Sequence, residues 1–172
     1  PGGTKLSEKI REILLDRENI NISPSVESLL FVAARAQLME EKIKPSLELN
    51  QFVICDRYAD STVAYQGYGR GLNVAYLEEL NKFATDSIQP DITIILDVDP
   101  EKAAIRMASD VPDRLESAGI NFFLKVRKGY YEIARRYPQR CVIIDGSRTE
   151  SEVFELVLKE VDKKILKEMP CI

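Results

Sequence analysis

Three short apolar runs, at residues 52–55, 92–98 and 141–144, are continuous rather than alternating. A strand with one wet face alternates polar and apolar residues, so an unbroken run reads as a strand covered on both sides, as in a parallel sheet flanked by helices. Helical patterns separate the runs. Leu6, Ile10, Ile13 and Leu14 fall at i, i+4, i+7 and i+8, the spacing of one apolar helix face. Residues 25–44 form a second helix, with Pro24 near its start and Pro45 ending it. Asn73 caps a third that carries Leu77, Leu80 and Phe83, and Asp99-Pro100-Glu101 opens a fourth with Asp as cap and Pro at the first position. Phe122, Val126, Tyr130, Ile133 and Ala134 make a further stripe, and Val153, Val157, Val161 and Ile165 the last. Strands alternating with helices predict an α/β fold of three layers around a parallel sheet, in one domain over residues 1–172. Three strands is a small sheet beside the usual five or six, so further strand material is expected upstream.

Composition removes several function classes. Net charge is −4 with a pI near 5.1, so no general basic field points to nucleic acid. The absence of histidine excludes Ser-His and Cys-His nucleophile pairs and His-based zinc sites. Cys55, Cys141 and Cys171 are odd in number and far apart. The first two sit in apolar runs and read as buried reduced thiols, which fits the cytoplasm. No apolar run approaches the roughly 18 residues that span a bilayer, so no membrane association is expected. The sequence opens on Pro1 with no signal-peptide pattern and no initiator Met, so an upstream segment is expected.

Four constellations carry possible chemistry. The run at 52–55 leads into Asp56-Arg57-Tyr58, and the carboxyl ends of parallel strands open onto the ligand crevice. An acid there suits a Mg²⁺ shell and an arginine grips a phosphate; the alternative is a surface ion pair of little consequence. Phe31 and Arg35 share a helix face at i, i+4. Ring and guanidinium together suit a nucleobase, one by stacking and one by bonding a carbonyl edge; the alternative is a core Phe and a solvated Arg. Residues 61–70, with Ser61, Thr62, Tyr65, Gln66, Gly67, Tyr68, Gly69 and Arg70, suit a base or sugar pocket, or form a loop with turn glycines. Residues 110–116, from Asp110 to Asp113, Arg114 and Glu116, follow Arg106. They read as part of a lid over about 106–119 that brings Arg114 to a phosphate, or as a solvated charged loop. Asp97 is read as structural.

In this order the pieces resemble bacterial thymidylate kinases. The resemblance is carried by Pro1-Gly-Gly-Thr4, Leu30-Phe31 with Arg35, Asp56-Arg57-Tyr58, Ser61-Thr62 with Tyr65-Gln66-Gly67, Asp97-Val-Asp99-Pro100, and Asp113-Arg114 with Glu116. It implies a P-loop nucleoside-monophosphate-kinase-like α/β/α fold and phosphoryl transfer from ATP to dTMP, with Mg²⁺ accompanying ATP. It also implies a homodimer. By resemblance Phe31 stacks on thymine, Arg35 donates to its carbonyl, Thr62 and Gln66 line the base, and Ser61 belongs to the dTMP site. Tyr65 lies beneath the deoxyribose, Arg57 and Arg11 hold the dTMP phosphate, and Asp56 meets Mg²⁺ through water. Arg114 is the catalytic lid arginine and Arg106 packs on adenine. The family's Gly-Lys-Ser/Thr phosphate loop occurs nowhere in these residues. The first β-α-β unit is therefore expected to be absent from this chain, leaving a strand-wide gap between residues 52–55 and 92–98, and these residues alone are expected to be inactive. Other readings are a different deoxynucleotide or deoxynucleoside kinase and a non-catalytic binding module of the same fold.

Overall fold

The computed structural model describes residues 2–106 and 112–168, with side chains through residue 165. Pro1, Asp110, Cys171 and the part of the expected lid at 107–111 lie outside the described residues. The helices are α1 (Lys5–Leu15), α2 (Pro24–Leu38), α3 (Lys44–Glu48), α4 (Ala59–Thr62), α5 (Val74–Ala84), α6 (Pro100–Arg106), α7 (Ile120–Arg136) and α8 (Glu150–Glu168). Their starts follow the expected capping chemistry. The Asn73 side chain accepts from the Tyr76 N–H at 3.3 Å, and Asp99 Oδ1 from the Glu101 N–H at 3.0 Å. Thr4 and Ser23 cap α1 and α2 in the same way, with Pro24 in the first turn of α2.

Pro45 does not end the second helix. A π-helical stretch, Met39–Ile43, follows α2, and α3 begins beyond it with Pro45 in its first turn. The wider turn, closed by the Lys44 N–H on the Met39 carbonyl, lets a proline open a new α segment instead of clashing inside an old one.

Two parallel strands form the sheet: β1 (Thr93–Asp97) and β2 (Cys141–Asp145), registered from Thr93 opposite Cys141 to Asp97 opposite Asp145. The third expected strand, at residues 52–55, is a correction. It belongs to no ladder among the described residues, and Phe52 and Ile54 are 86% and 96% exposed. A strand exists only as a pairing, and no described segment lies alongside this one. A cleft of about 950 Å³ has Val53, Ile54 and Cys55 on its walls together with Ile95, Leu96 and Asp97 of β1.

The main core lies where β1, β2, α7 and the π-helical stretch Val63–Gly69 meet, and includes Val63, Ala64, Ile95, Phe122, Val126, Ile133 and Cys141. Two glycines set how close the π stretch and α7 come. A Cβ at Gly69 would stand 2.6 Å from the Phe122 ring, and one at Gly129 2.9 Å from Tyr68; each aromatic fills the space that the opposing glycine leaves. Asp60 on α4 meets Arg140, just before β2, through a two-pronged contact of 2.6 and 2.7 Å, and Thr93 Oγ1 donates to the same carboxylate. Asp97 has the structural role expected of it, since Arg127 donates to both its oxygens at 2.7 and 2.8 Å. Cys141 is buried, Cys55 is half-buried, and both are free thiols. No helix among the described residues is long and apolar enough to cross a membrane.

Candidate active site

Helix α2 carries Phe31 and Arg35 one turn apart, and a second helix fixes where Arg35 points. Its guanidinium donates to Asn81 Oδ1 at 2.8 Å and to the Tyr58 carbonyl at 3.1 Å. Asn81 in turn donates to the Ala59 carbonyl at 3.1 Å, tying α5 to α4. Burial pulls the Arg35 pKa down to about 10, still cationic at neutral pH.

The chain then turns sharply. Arg57 has φ of 68°, in the left-handed region that a long side chain seldom occupies and that often marks functional sites. The turn sets the Arg57 guanidinium over the Tyr65 ring, 5.5 Å from its centroid. Tyr65 also packs edge-on against Phe122, Phe123 and Tyr130, at 6.0, 6.5 and 6.4 Å between centroids. Asp56, exposed, lines the wide cleft beside Arg57.

Residues 61–70 are not a loop. Ser61 and Thr62 end α4 and the π-helical stretch continues to Gly69, with the Arg70 N–H bonded to the Tyr65 carbonyl five residues back at 2.9 Å. Segments of this kind recur at functional sites. Ser61 Oγ shares a 2.8 Å hydrogen bond with the Tyr130 hydroxyl. Thr62 Oγ1 is buried without a hydrogen-bond partner among the described residues, an uncommon state for a polar atom. Gln66, 1% exposed, donates its amide to Glu27 Oε1 at 2.9 Å.

Seven of the expected residues, Phe31, Arg35, Arg57, Ser61, Thr62, Tyr65 and Gln66, line one inner cavity of about 60 Å³. Phe31, Arg57 and Tyr65 also belong to the wide cleft, whose walls include Arg11 and Asp56. These residues therefore converge although they come from three helices and a turn.

Arg114 and Arg106 lie elsewhere. Arg114 Nε donates to the Leu14 carbonyl at 2.7 Å, its Nη2 stands 2.8 Å from Glu27 Oε2, and its own N–H meets the Leu15 carbonyl at 3.3 Å. Its side chain is 7% exposed. Arg106 donates to the carbonyls of Gly146 and Ser147, at 3.2 and 3.4 Å, in the turn after β2. Asp113 and Glu116 make a reciprocal cap on the short 3₁₀ turn Glu116–Ala118: Asp113 Oδ1 accepts from the Glu116 N–H, and Glu116 Oε2 from the Asp113 N–H, both at 2.8 Å.

Glu27, buried behind the cavity wall, is a residue that sequence reasoning missed, and Arg70, at the end of the 61–70 segment, is its partner. Glu27 is 1% exposed and accepts from Arg70 on both oxygens at 3.1 Å and from Gln66, while the Arg114 guanidinium pairs with it in charge. Burial pushes its carboxyl pKa up, but the donors Arg70, Gln66 and Arg114 outweigh it and the net shift is downward. A lowered folded-state pKa means that the cluster's stabilisation is present above the ordinary carboxyl range and is lost as pH falls through the folded-state value. The available signal was spacing: Glu27, Phe31 and Arg35 lie at i, i+4 and i+8 of α2, on one face.

Among the described residues no three His, Cys, Asp or Glu side chains gather to hold a metal. Of the carboxylates on the cleft, Asp97 is held by Arg127, and Asp113 and Glu116 cap a turn, so Asp56 is the one beside Arg57 that would meet an ion. That donor set suits Mg²⁺ carried mainly by phosphates, which takes only one or two protein carboxylates.

The model of the thymidylate kinase family matches residues 1–157. Thymidylate kinase of Caldanaerobacter subterraneus subsp. tengcongensis is 46% identical over 163 residues, covering 95% of this chain and 78% of that protein. The enzyme of that name from Prosthecochloris aestuarii is 48% identical over 171 residues, covering 94% of this chain and 76% of its own length. The crystal structure of thymidylate kinase from Ehrlichia chaffeensis superposes with a TM-score of 0.74 at 37% identity, over 94% of this chain and 76% of that one.

Proposed function

This chain belongs to the thymidylate kinase family, and we propose that its inner cavity and cleft hold dTMP as acceptor while the γ-phosphoryl group of ATP is transferred to it, giving dTDP. The observation that carries the site assignment is the convergence of a ring, two cations and four polar or aromatic side chains on one cavity. Phe31 stacks on the thymine ring and Arg35, held by Asn81 and Tyr58, donates to a base carbonyl. Thr62 and Gln66 meet the base edge, Ser61 lines the cavity, and Tyr65 supports the deoxyribose. Arg57, swung out by its left-handed backbone, takes the acceptor phosphate together with Arg11.

The acceptor oxygen belongs to a phosphate monoester that is already largely ionised at neutral pH, so no general base is required. The protein's task is alignment and charge neutralisation. Arg57 aligns the acceptor. Arg114 covers charge on the transferring group after leaving Glu27 in a lid movement, and Arg106 borders the adenine of ATP. Asp56 would hold Mg²⁺ through water, and the ion would supply charge neutralisation on the ATP phosphates. These residues contain no Gly-Lys-Ser/Thr sequence. The ATP-phosphate loop of the family would be a further segment. Cytoplasmic location is supported by the two free thiols. A homodimer is supported by the apolar, half-exposed Val26 and Leu29 on α2.

In the complete enzyme Phe31→Ala is expected to weaken dTMP binding by about 1–3 kcal/mol, the scale of base–aromatic stacking, with ATP affinity unchanged. Isothermal titration with each nucleotide measures both. Equal losses for the two nucleotides, or none for dTMP, would return Phe31 to a packing role.

A further inference from the structure

We propose that Glu27, which lines neither the inner cavity nor the cleft, is a positioning residue for base choice: it fixes the side-chain amide of Gln66 so that the carbonyl oxygen, not the NH₂, is offered to the bound base. The inference rests on the reading of Gln66 as a base contact. Its starting point is the 2.9 Å bond from Gln66 Nε2 to Glu27 Oε1, between two side chains each 1% exposed. An ionised carboxylate only accepts hydrogen bonds, whereas an amide has a donating and an accepting end. Glu27 is kept ionised by Arg70 on both its oxygens and by Arg114 on Oε2. Only the NH₂ end of Gln66 can therefore face it, and Oε1 is left for the cavity that Gln66 lines.

A second observation points to a ligand at the same place. Thr62 Oγ1, four residues earlier on the same cavity wall, is buried and has no hydrogen-bond partner among the described residues. A hydroxyl both donates and accepts, so it adapts to either kind of base edge. The locked amide does not adapt. With Gln66 Oε1 as a fixed acceptor and the Arg35 guanidinium as a fixed donor, the cavity matches a pyrimidine that has a ring N–H beside a carbonyl, as thymine and uracil do. Cytosine presents a bare ring nitrogen beside an amino group, the reverse pattern, and would set acceptor against acceptor and donor against donor. Sites whose buried polar groups are left unpaired reject the wrong substrate strongly.

Glu27→Gln tests the lock. The new side chain has one oxygen and one NH₂. Placing the NH₂ where Oε2 stands would oppose both Arg70 and Arg114, whereas placing it where Oε1 stands opposes only Arg70 Nε. The latter orientation turns an N–H toward Gln66 and reverses its amide. In the complete enzyme the ratio of kcat/KM for dTMP over dCMP is expected to fall at least about tenfold, the effect of one mispaired buried hydrogen bond. A purely structural role would lower both values together and leave the ratio intact, because the ratio does not depend on the fraction of folded enzyme.

Gln66→Ala and the double variant complete the test. Gln66→Ala is expected to lower the ratio, and adding Glu27→Gln to it is expected to change the ratio no further. An unchanged ratio in Glu27→Gln, or a further fall in the double variant, overturns the positioning role while leaving Gln66 as a base contact. An unchanged ratio in Gln66→Ala overturns the base contact itself. Should Glu27→Gln not fold, NMR of wild-type enzyme with ¹⁵N-glutamine decides: one side-chain amide protected from exchange with no nucleotide bound, and lost in Gln66→Ala, is expected, and its absence overturns the lock.

Discussion

Arg114→Ala in the complete enzyme is expected to lower turnover by about 10³–10⁵-fold, the range for an arginine that neutralises charge on a transferring phosphoryl group. The dTMP Michaelis constant should change far less. The same substitution is expected to cost about 3–5 kcal/mol of stability, because it removes one partner of a buried ion pair and leaves the other less compensated. Glu27 would keep Arg70 and Gln66 but lose the contact at 2.8 Å. With one donor fewer, its carboxyl pKa should rise, so acid-induced loss of stability should begin at higher pH than in the parent protein. The two effects separate cleanly. Turnover per folded molecule reports the reaction, and a urea titration reports the anchor. Lost stability with near-normal turnover would make Arg114 a clamp between Glu27 and the C-terminal end of α1, and would remove it from the chemistry.

That both outcomes are worth measuring follows from what the residue pattern shows and what it hides. Asp113-Arg114 with Glu116 reads as a charged turn, and Asp113 and Glu116 do cap one. Nothing in the local pattern shows that the arginine between them reaches 87 positions back along the chain, from 114 to 27, to a buried carboxylate. Glu27 itself is concealed because an acid in the first turn of a helix already has an explanation in the helix dipole. The strands divide on the same principle. Residues 93–97 and 141–145 are legible as apolar runs and find each other. Residues 52–55 are equally apolar, but pairing is a property of two segments and cannot be read from one. The helical character of 61–70 is masked by Gly67, Gly69 and several β-branched or aromatic residues, which lower helix propensity. Tertiary contact overrides that preference. Gly69 is needed to admit Phe122, and the aromatic side chains fill the seam with α7. By contrast Phe31, Arg35, Arg57, Tyr65 and Gln66 are legible as one group because their spacing and order are those of a known family, and the structure gathers them on one cavity.

The second large effect concerns how that cavity is held to the sheet. Helix α4 carries Ser61 and Thr62 into the cavity, and Asp60, immediately before them, fixes α4 to the sheet through Arg140 and Thr93. The pair is well enclosed, with the Arg140 and Asp60 side chains 10% and 12% exposed. Both oxygens of Asp60 receive an N–H, and the guanidinium lies over the Tyr137 ring at 4.7 Å. Asp60→Ala would leave Arg140 buried with its main partner gone, and is expected to cost about 3–5 kcal/mol by urea denaturation. Arg140→Ala should cost a comparable amount, since Asp60 would be the group stranded. The double variant strands neither charge, so its loss should fall well below the sum of the two single losses, with a coupling of about 1–3 kcal/mol. Simple additivity would mean that the two side chains act independently, and that α4 is seated on β1 by apolar packing alone. Because Ser61 and Thr62 follow Asp60 directly, the surviving folded fraction of Asp60→Ala should also bind dTMP more weakly than the parent. In Arg140→Ala the carboxylate keeps its bond from Thr93 Oγ1, so dTMP affinity should fall less.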